Sequence, residues 1–362
     1  MYQKNIWQSA DEQKAEKITA FCEDYKNFLS YAKTERLAVE ETERLARVKG
    51  FKRIDEIENL KAGDKVYFIN KHKNVILYVV GKKPIKEGLR ILGAHIDSPR
   101  LDLKQNPLYE SEEFALLDTH YYGGIKKYQY VTVPLAIHGV VCKKDGTTVN
   151  VNVGECDDDP VVGISDLLIH LSQKQLTATG DKVIEGENLD VTVGSIPLKE
   201  EKDEPVKKNI LKIFKDKYGI EEEDFASAEL EIVPAGKARD YGLDRSMIAS
   251  YGHDDRVCAY TSLAAILEAE AEEYTACCVL VDKEEIGSVG ATGASSVFFE
   301  NTVSELLVKS GDESYVSLRK ALENSYALSS DVNAAIDPLY KEVASKNNSA
   351  RFNYGIVFEK YT

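Results

Sequence analysis

The chain has 362 residues, 43% of them hydrophobic and 30% charged, which allows a sizeable buried core and excludes wholesale disorder. Its 46 Lys and Arg face 61 Asp and Glu, a formal net charge of -15. That balance argues against nucleic acid and anionic membrane surfaces as partners and leaves cations as natural ones. No apolar run approaches the roughly 20 residues of a membrane span, and the stretch from Met1 to Ser9 is not of signal-peptide type. The six cysteines include no Cys-x-x-Cys pair, which points to reduced thiols and a cytoplasmic location. At about 150 residues per domain the length suggests two or three domains.

In chain order, the first fifty residues read as charged helices. Ser9 to Glu12 fits a capping box, and Ile18, Phe21, Cys22, Tyr25, Phe28 and Leu29 recur at helical spacing. A second helix is expected over 34–48, closed by Gly50. Strand-like runs follow at 65–70, 74–80 and 89–95, the first two joined by a hairpin loop at Lys71, His72 and Lys73. From Leu101 to about Ala235 short β-prone stretches dominate, at 131–141, 147–153 and 228–234. One helix is expected over 166–173 and a charged loop with a short helix over 199–216. The region reads as a β-rich module inserted into something else. Beyond Asp254 the pattern becomes α/β. A helix is expected to run to near Tyr274. The continuous apolar run Ala276-Cys-Cys-Val-Leu-Val suits a strand covered on both faces. Helices at 295–309 and 313–324 and a short strand at 326–329 complete a doubly wound pattern, in which sites lie beyond the carboxyl ends of strands.

Four motifs sit at such ends. In Gly93-Ala-His95-Ile-Asp97 a strand closes on a His whose second ring nitrogen Asp97 could hold, as metal-bound imidazoles require. Alone, the pair also fits a strand-end His beside a solvated Asp. Asp254-Asp255-Arg256 precedes a helix, where one carboxylate could bridge two cations or simply cap the helix. Asp282-Lys-Glu284-Glu285-Ile-Gly287 is the most specific. If extended, its two glutamates point to different sides, one for a metal and one for a water, although a solvated loop is the plainer alternative. Asp331 follows the last short strand, where a turn aspartate would also serve. Gly287, Gly290 and Gly293 do not form a phosphate-cradling pattern. Together, His95, Asp254, Glu285 and Asp331 offer oxygen-rich ligation with one imidazole, suited to Zn2+, Co2+ or Mn2+. A bridging carboxylate implies two ions sharing one water.

These motifs, in this order and across essentially the whole chain, resemble the aspartyl aminopeptidase / aminopeptidase I family of dizinc metallopeptidases, closest in texture to its bacterial aminopeptidase 1 branch. The resemblance implies that His95 binds one ion, oriented by Asp97. It implies that Asp254 bridges both ions, that Glu285 binds the second and that Asp331 completes the first. Glu284 becomes the general base. His170, in Leu167-Leu-Ile-His170-Leu, matches a His that the family's insert domain presents to a neighbouring subunit's site. The family's last ligand, a His, belongs to a segment beyond the one matching Tyr354 to Thr362. None of His72, His120, His138 and His253 follows Asp331, so the Glu285 ion lacks one ligand within these residues.

The expectation is an α/β protein. Its catalytic domain, a doubly wound mixed sheet over residues 1–100 and 237–362, is interrupted by a β-rich dimerisation insert over 101–236. Its expected activity is that of a metallo-aminopeptidase acting on short peptides, binding two Zn2+ per site and assembled as a homo-oligomer from dimers, a dodecamer as the resemblance implies. Three alternatives remain. They are a related dimetal carboxypeptidase or deacylase, a non-catalytic homologue, and a phosphate- or nucleotide-binding α/β protein, the last disfavoured by the carboxylates.

Overall fold

Residues 4–360 are described by a computed structural model of the chain. Three helices come first, α1 (Ile6–Ser9), α2 (Glu12–Tyr31) and α3 (Glu35–Val48). The cap of α2 is Asp11, whose carboxylate accepts the Lys14 N–H at 2.8 Å. The expected Ser9 capping box is therefore corrected. Ser9 closes α1 and bonds back to the Ile6 carbonyl, so its hydroxyl is already committed when α2 begins. Thr34 caps α3 through the Leu37 N–H.

The main sheet opens with β1 (Lys52–Arg53), β2 (Lys65–Asn70), β3 (Asn74–Val79) and β4 (Leu89–His95). The β2–β3 hairpin turns through Lys71 and His72, both in the left-handed region. The chain then leaves for a second, wholly antiparallel sheet. Its elements are β5 (Arg100–Ser111), β6 (Phe114–Tyr122), β7 (Leu135–Cys142), β8 (Thr148–Val153), α4 (Gln173–Thr177), β9 (Val191–Gly194), α5 (Pro205–Tyr218) and β10 (Ala228–Pro234), with strand order β8-β7-β10-β5-β6-β9. After the small hairpin β11 (Arg239–Tyr241) and β12 (Met247–Ala249), the chain returns through α6 (His253–Glu268), β13 (Thr275–Val281), α7 (Phe298–Lys309), α8 (Tyr315–Glu323) and β14 (Tyr326–Ser329).

The main sheet has the order β1-β2-β3-β13-β4-β14, with β13, β4 and β14 parallel and β3 antiparallel to β13. It is the expected mixed, doubly wound sheet. Alternation along β3 and β13 shows why those strands read as unbroken apolar runs. Val75, Leu77, Val79, Cys278 and Leu280 pack towards α2, α3 and α6. Ile76, Tyr78 and Cys277 face Val303, Leu306 and Leu318 of α7 and α8. Parallel pairing aligns the carboxyl ends of β4, β13 and β14, with His95 opposite Val281 and Gly93 opposite Ser329.

Three elements differ from expectation. The helix expected over 166–173 is an extended segment, a 3-10 turn at Ile169–Leu171 and then α4. Leu167, Leu168, Ile169 and Leu171 are all exposed, so no core exists to stabilise a helix too short to form alone. Helix α6 stops at Glu268 rather than near Tyr274, because Glu268, Glu270, Glu272 and Glu273 crowd negative charge where the helix dipole opposes it. The long β5–β6 hairpin escapes a periodicity search because Lys104, Gln105 and Asn106 break the alternation at the register shift between Leu103 and Leu108. Among the described residues no helix is long and apolar enough to cross a membrane.

Tyr78 is buried against α7, with its hydroxyl 2.7 Å from the Thr302 hydroxyl. Burial, reinforced by the neighbouring Cys277, raises its phenol well above the ordinary 10.0. The unfolded chain therefore loses this proton first. Stability present below about pH 10 falls as pH rises beyond it. Tyr78→Phe is expected to cost about 1 kcal/mol at neutral pH and to flatten the alkaline loss, measured as urea midpoints on either side of that value. An unchanged alkaline slope would assign the loss to other groups.

Candidate metal centre

Strand β4 delivers His95 into the interior, where the Ile96 N–H donates to the Val281 carbonyl and locks the strand end in place. Its Nδ1 lies 3.0 Å from the Asp97 carbonyl and 3.2 Å from Asp97 Oδ1, two acceptors that require a hydrogen on Nδ1. That leaves Nε2 as the free position. It is buried, has no hydrogen-bond partner, and is ringed by Asp254 Oδ1 at 3.3 Å, Glu284 Oε2 at 3.7 Å and Asp331 Oδ1 at 3.8 Å. Burial pulls the His95 pKa down, but Asp254, Asp97 and Asp255 outweigh it and raise it to about 11. Without a cation the carboxylates thus hold a proton on the ring, and a divalent ion would take that proton's place.

Asp97 is fully buried and accepts four hydrogen bonds. His95 Nδ1 and the Glu284 N–H reach Oδ1, each at 3.2 Å, while the Tyr122 hydroxyl at 2.7 Å and the Glu285 N–H at 3.2 Å reach Oδ2. Burial alone would raise the carboxyl's pKa; the bonds from His95, Tyr122 and Glu285 hold it below the ordinary value instead.

The same bonds shape the glutamate pair. Glu284–Ile286 is a 3-10 turn between left-handed Lys283 and Gly287, so the extended arrangement considered for the pair is not the one adopted. Asp97 recruits two successive N–H groups and so curls the backbone. Both glutamates consequently turn towards His95. Burial and then the Asp254 charge push Glu285 up to about 7. Gly123 makes room for it: a Cβ there would meet Glu285 Cβ at 3.1 Å and Oε2 at 3.2 Å.

Asp254 enters with the first turn of α6, which Gly252 opens at φ 86. A side chain at 252 would collide with the buried Arg256 guanidinium. The Asp254 carbonyl accepts the Ser98 hydroxyl at 2.5 Å, tying α6 to the loop after β4. Asp255 is buried behind it, and burial pushes its carboxyl up to about 7. Asp331 is placed by β14, the Ser330 N–H donating to the Gly93 carbonyl at 2.8 Å.

Two sets of potential ligands result, His95 with Asp254 and Glu285, and His95 with Glu284 and Asp331. In each set the atoms lie within 4.8 Å of one another. Carboxylates around one imidazole suit a borderline divalent ion such as zinc. Of the residues singled out in the sequence, His95, Asp97, Asp254, Glu284, Glu285 and Asp331 meet here. His170 belongs to neither set and lies exposed on the 3-10 turn of the antiparallel sheet region. His253 is engaged elsewhere, Nδ1 with the Tyr25 hydroxyl and Nε2 beside the Ile248 carbonyl. Tyr122 and Gly123 are marked by no motif, and only the folded chain brings them to Asp97 and Glu285; Ser98 directly follows the His95–Asp97 motif, but its bond to the Asp254 carbonyl appears only in the fold.

Fold and site together define an α/β metalloprotein with a carboxylate-rich centre at the ends of parallel strands. The family model for aminopeptidase I zinc metalloproteases (M18) matches residues 28–362. A probable M18 family aminopeptidase 1 from Clostridium acetobutylicum is 58% identical over 364 residues, covering 99% of this chain and 78% of that protein. The crystal structure of an M18 aminopeptidase from Thermotoga maritima superimposes with a TM-score of 0.93 at 44% identity, over 98% of this chain and 78% of that one. That of aminopeptidase I from Clostridium acetobutylicum gives 0.90 at 55% identity, over 99% and 79%. The chain belongs to the M18 family of aminopeptidase I zinc metalloproteases.

His95→Ala is expected to lower bound zinc in elemental analysis of the purified chain; unchanged stoichiometry would remove His95 from the ligand set. Gly123→Ala should displace Glu285 and weaken Zn2+ binding roughly tenfold by calorimetric titration. An unchanged affinity would show that Glu285 tolerates the added methyl.

Proposed function

We propose that this chain is a zinc aminopeptidase that removes N-terminal residues from short peptides. The observation that carries the proposal is the buried, unpartnered Nε2 of His95 facing a ring of carboxylates. In this scheme His95, Asp254, Glu285 and Asp331 would hold the zinc, and Glu284 would stay free as the base. Bound zinc would supply Lewis acidity, making water a usable nucleophile near neutral pH and polarising the scissile carbonyl.

The remaining work falls to the chain's own groups. Asp97 keeps the His95 hydrogen on Nδ1, so that Nε2 presents its lone pair. Glu284, on the exposed side of the pair, takes a proton from the attacking water and returns one to the leaving amine. The surplus of carboxylates favours the approach of a peptide's α-ammonium and opposes that of its terminal carboxylate, which supports N-terminal over C-terminal cleavage.

The proposal extends to the division of the chain, with a dimerisation insert over 101–236 between catalytic segments 1–100 and 237–362. His170 would reach a neighbouring subunit's site from the exposed apolar run of Leu167, Leu168, Ile169 and Leu171, a surface of the kind that marks protein–protein contact. The proposal includes a homo-oligomer built from dimers, as large as a dodecamer. All six cysteines are free, which is compatible with a reducing cytoplasm.

Glu284→Gln preserves size and removes the base. It is expected to retain zinc and to lose turnover by about a hundredfold or more, followed as release of the first residue from a short peptide by mass spectrometry. Loss of zinc would make Glu284 a ligand rather than the base. Release from the carboxyl end by the unmodified chain would overturn the aminopeptidase assignment.

A further inference from the structure

We propose that Tyr122 is a positioning residue of the metal centre, through which the antiparallel sheet holds Asp97, and through Asp97 both His95 and the Glu284–Glu285 turn. The proposal rests on the zinc-centre reading above and extends it to a residue outside the ligand set.

Asp97 has one oxygen serving His95 and Glu284 and the other serving Glu285 and Tyr122. The Tyr122 hydroxyl makes the shortest of these bonds, at 2.7 Å. Among the described residues it is also the only side-chain donor to Oδ2. Without it, Oδ2 keeps a single backbone partner at 3.2 Å, and the carboxylate loses its shortest restraint against rotation relative to the His95 ring.

Tyr122 is itself held. It is the last residue of β6 and the direct cross-strand partner of Arg100, the first residue of β5. The Arg100 guanidinium lies over its ring, 4.0 Å from the centroid. Arg100 in turn is clamped by carboxyl groups, two of them buried: Nη1 meets buried Glu35 at 3.2 Å, and Nε meets the partly exposed Asp102 at 2.8 Å and buried Glu231 at 3.2 Å. Lys73 joins the cluster through Glu35 at 3.0 Å and Glu229 at 3.1 Å. A cavity of about 320 Å³, bordered by Lys73, Glu231 and Asp282, lies beside the ring. Packing therefore does not hold the ring on that side, and the Arg100 stack and the Asp97 bond fix it. The base of the inserted sheet is thus wired to the ligands of the other sheet by four contacts in series: cluster to Arg100, Arg100 to Tyr122, Tyr122 to Asp97, and Asp97 to His95.

The test is Tyr122→Phe in the full chain, which keeps the ring for Arg100 and deletes one hydroxyl. Tyr109→Phe is the control, because it removes a similar bond, from Tyr109 to Asp190 at 2.5 Å, within the antiparallel sheet. The readouts are Zn2+ affinity by calorimetry and the visible absorption of the Co2+-loaded protein. Tyr122→Phe should bind Zn2+ roughly tenfold more weakly, as expected when a ligand's outer support is lost, and should shift the Co2+ bands. The control should do neither, with both variants melting as folded proteins. An affinity and spectrum for Tyr122→Phe equal to the unmodified chain, or the same loss in the control, would overturn the proposal. Failure of the unmodified chain to bind Zn2+ would instead overturn the metal centre itself.

Discussion

A carboxylate taken wholly out of water is tolerable only if hydrogen bonds satisfy both of its oxygens. At Asp97 three of the four groups that do so are working parts of the site, an imidazole N–H and two successive backbone N–H groups from the turn after β13, and the fourth is the Tyr122 hydroxyl. The desolvation of one side chain therefore sets the ring orientation of His95 and the direction of Glu284 and Glu285 at once. These groups belong to strands that pair in register, with His95 opposite Val281. Sheet geometry and carboxylate satisfaction enforce each other, and neither would place the glutamates alone.

The charge balance makes a cation part of the logic of the fold. His95, Asp254, Glu284, Glu285 and Asp331 converge with one imidazole against four carboxylates, and Asp97 and Asp255 lie buried behind them. With no ion the centre answers by binding protons: burial and then Asp254 raise Glu285 to about 7, and burial raises Asp255 to about 7. Binding of a divalent ion releases such protons, so occupancy and pH are linked at this site by mass action.

Much of this was legible in the residues. His95, Asp97, Asp254, the glutamate pair and Asp331 each stand where a strand or helix changes to a loop, and the apolar run before Asp282 marks a strand covered on both faces. What periodicity could not show was how those loops turn. The glutamate pair reads equally as an extended segment or a solvated loop until Asp97 is seen to draw in both N–H groups. The run at Leu167 reads as a helix until its apolar face proves to have nothing to pack on. Tyr122 and Gly123 carry no local signal at all, since their meaning lies in what a 12-residue strand and its partner bring to the far side of the chain.

The site is also graded from rigid to open. His95 is 3% exposed and is held by strand pairing and by Asp97, whereas the Asp331 side chain is 55% exposed, its carboxylate accepting the Val332 N–H at 2.6 Å and its backbone placed by the pairing of β14 and the bond from Ser330 to Gly93. Asp254 and Glu284 share the open side with Asp331, each about half exposed. A peptide approaching from that side meets carboxylates first and the imidazole last. Such a layout suits a ligand that arrives amine-first: its positive end is attracted by the exposed groups, while the buried groups keep the geometry the chemistry needs.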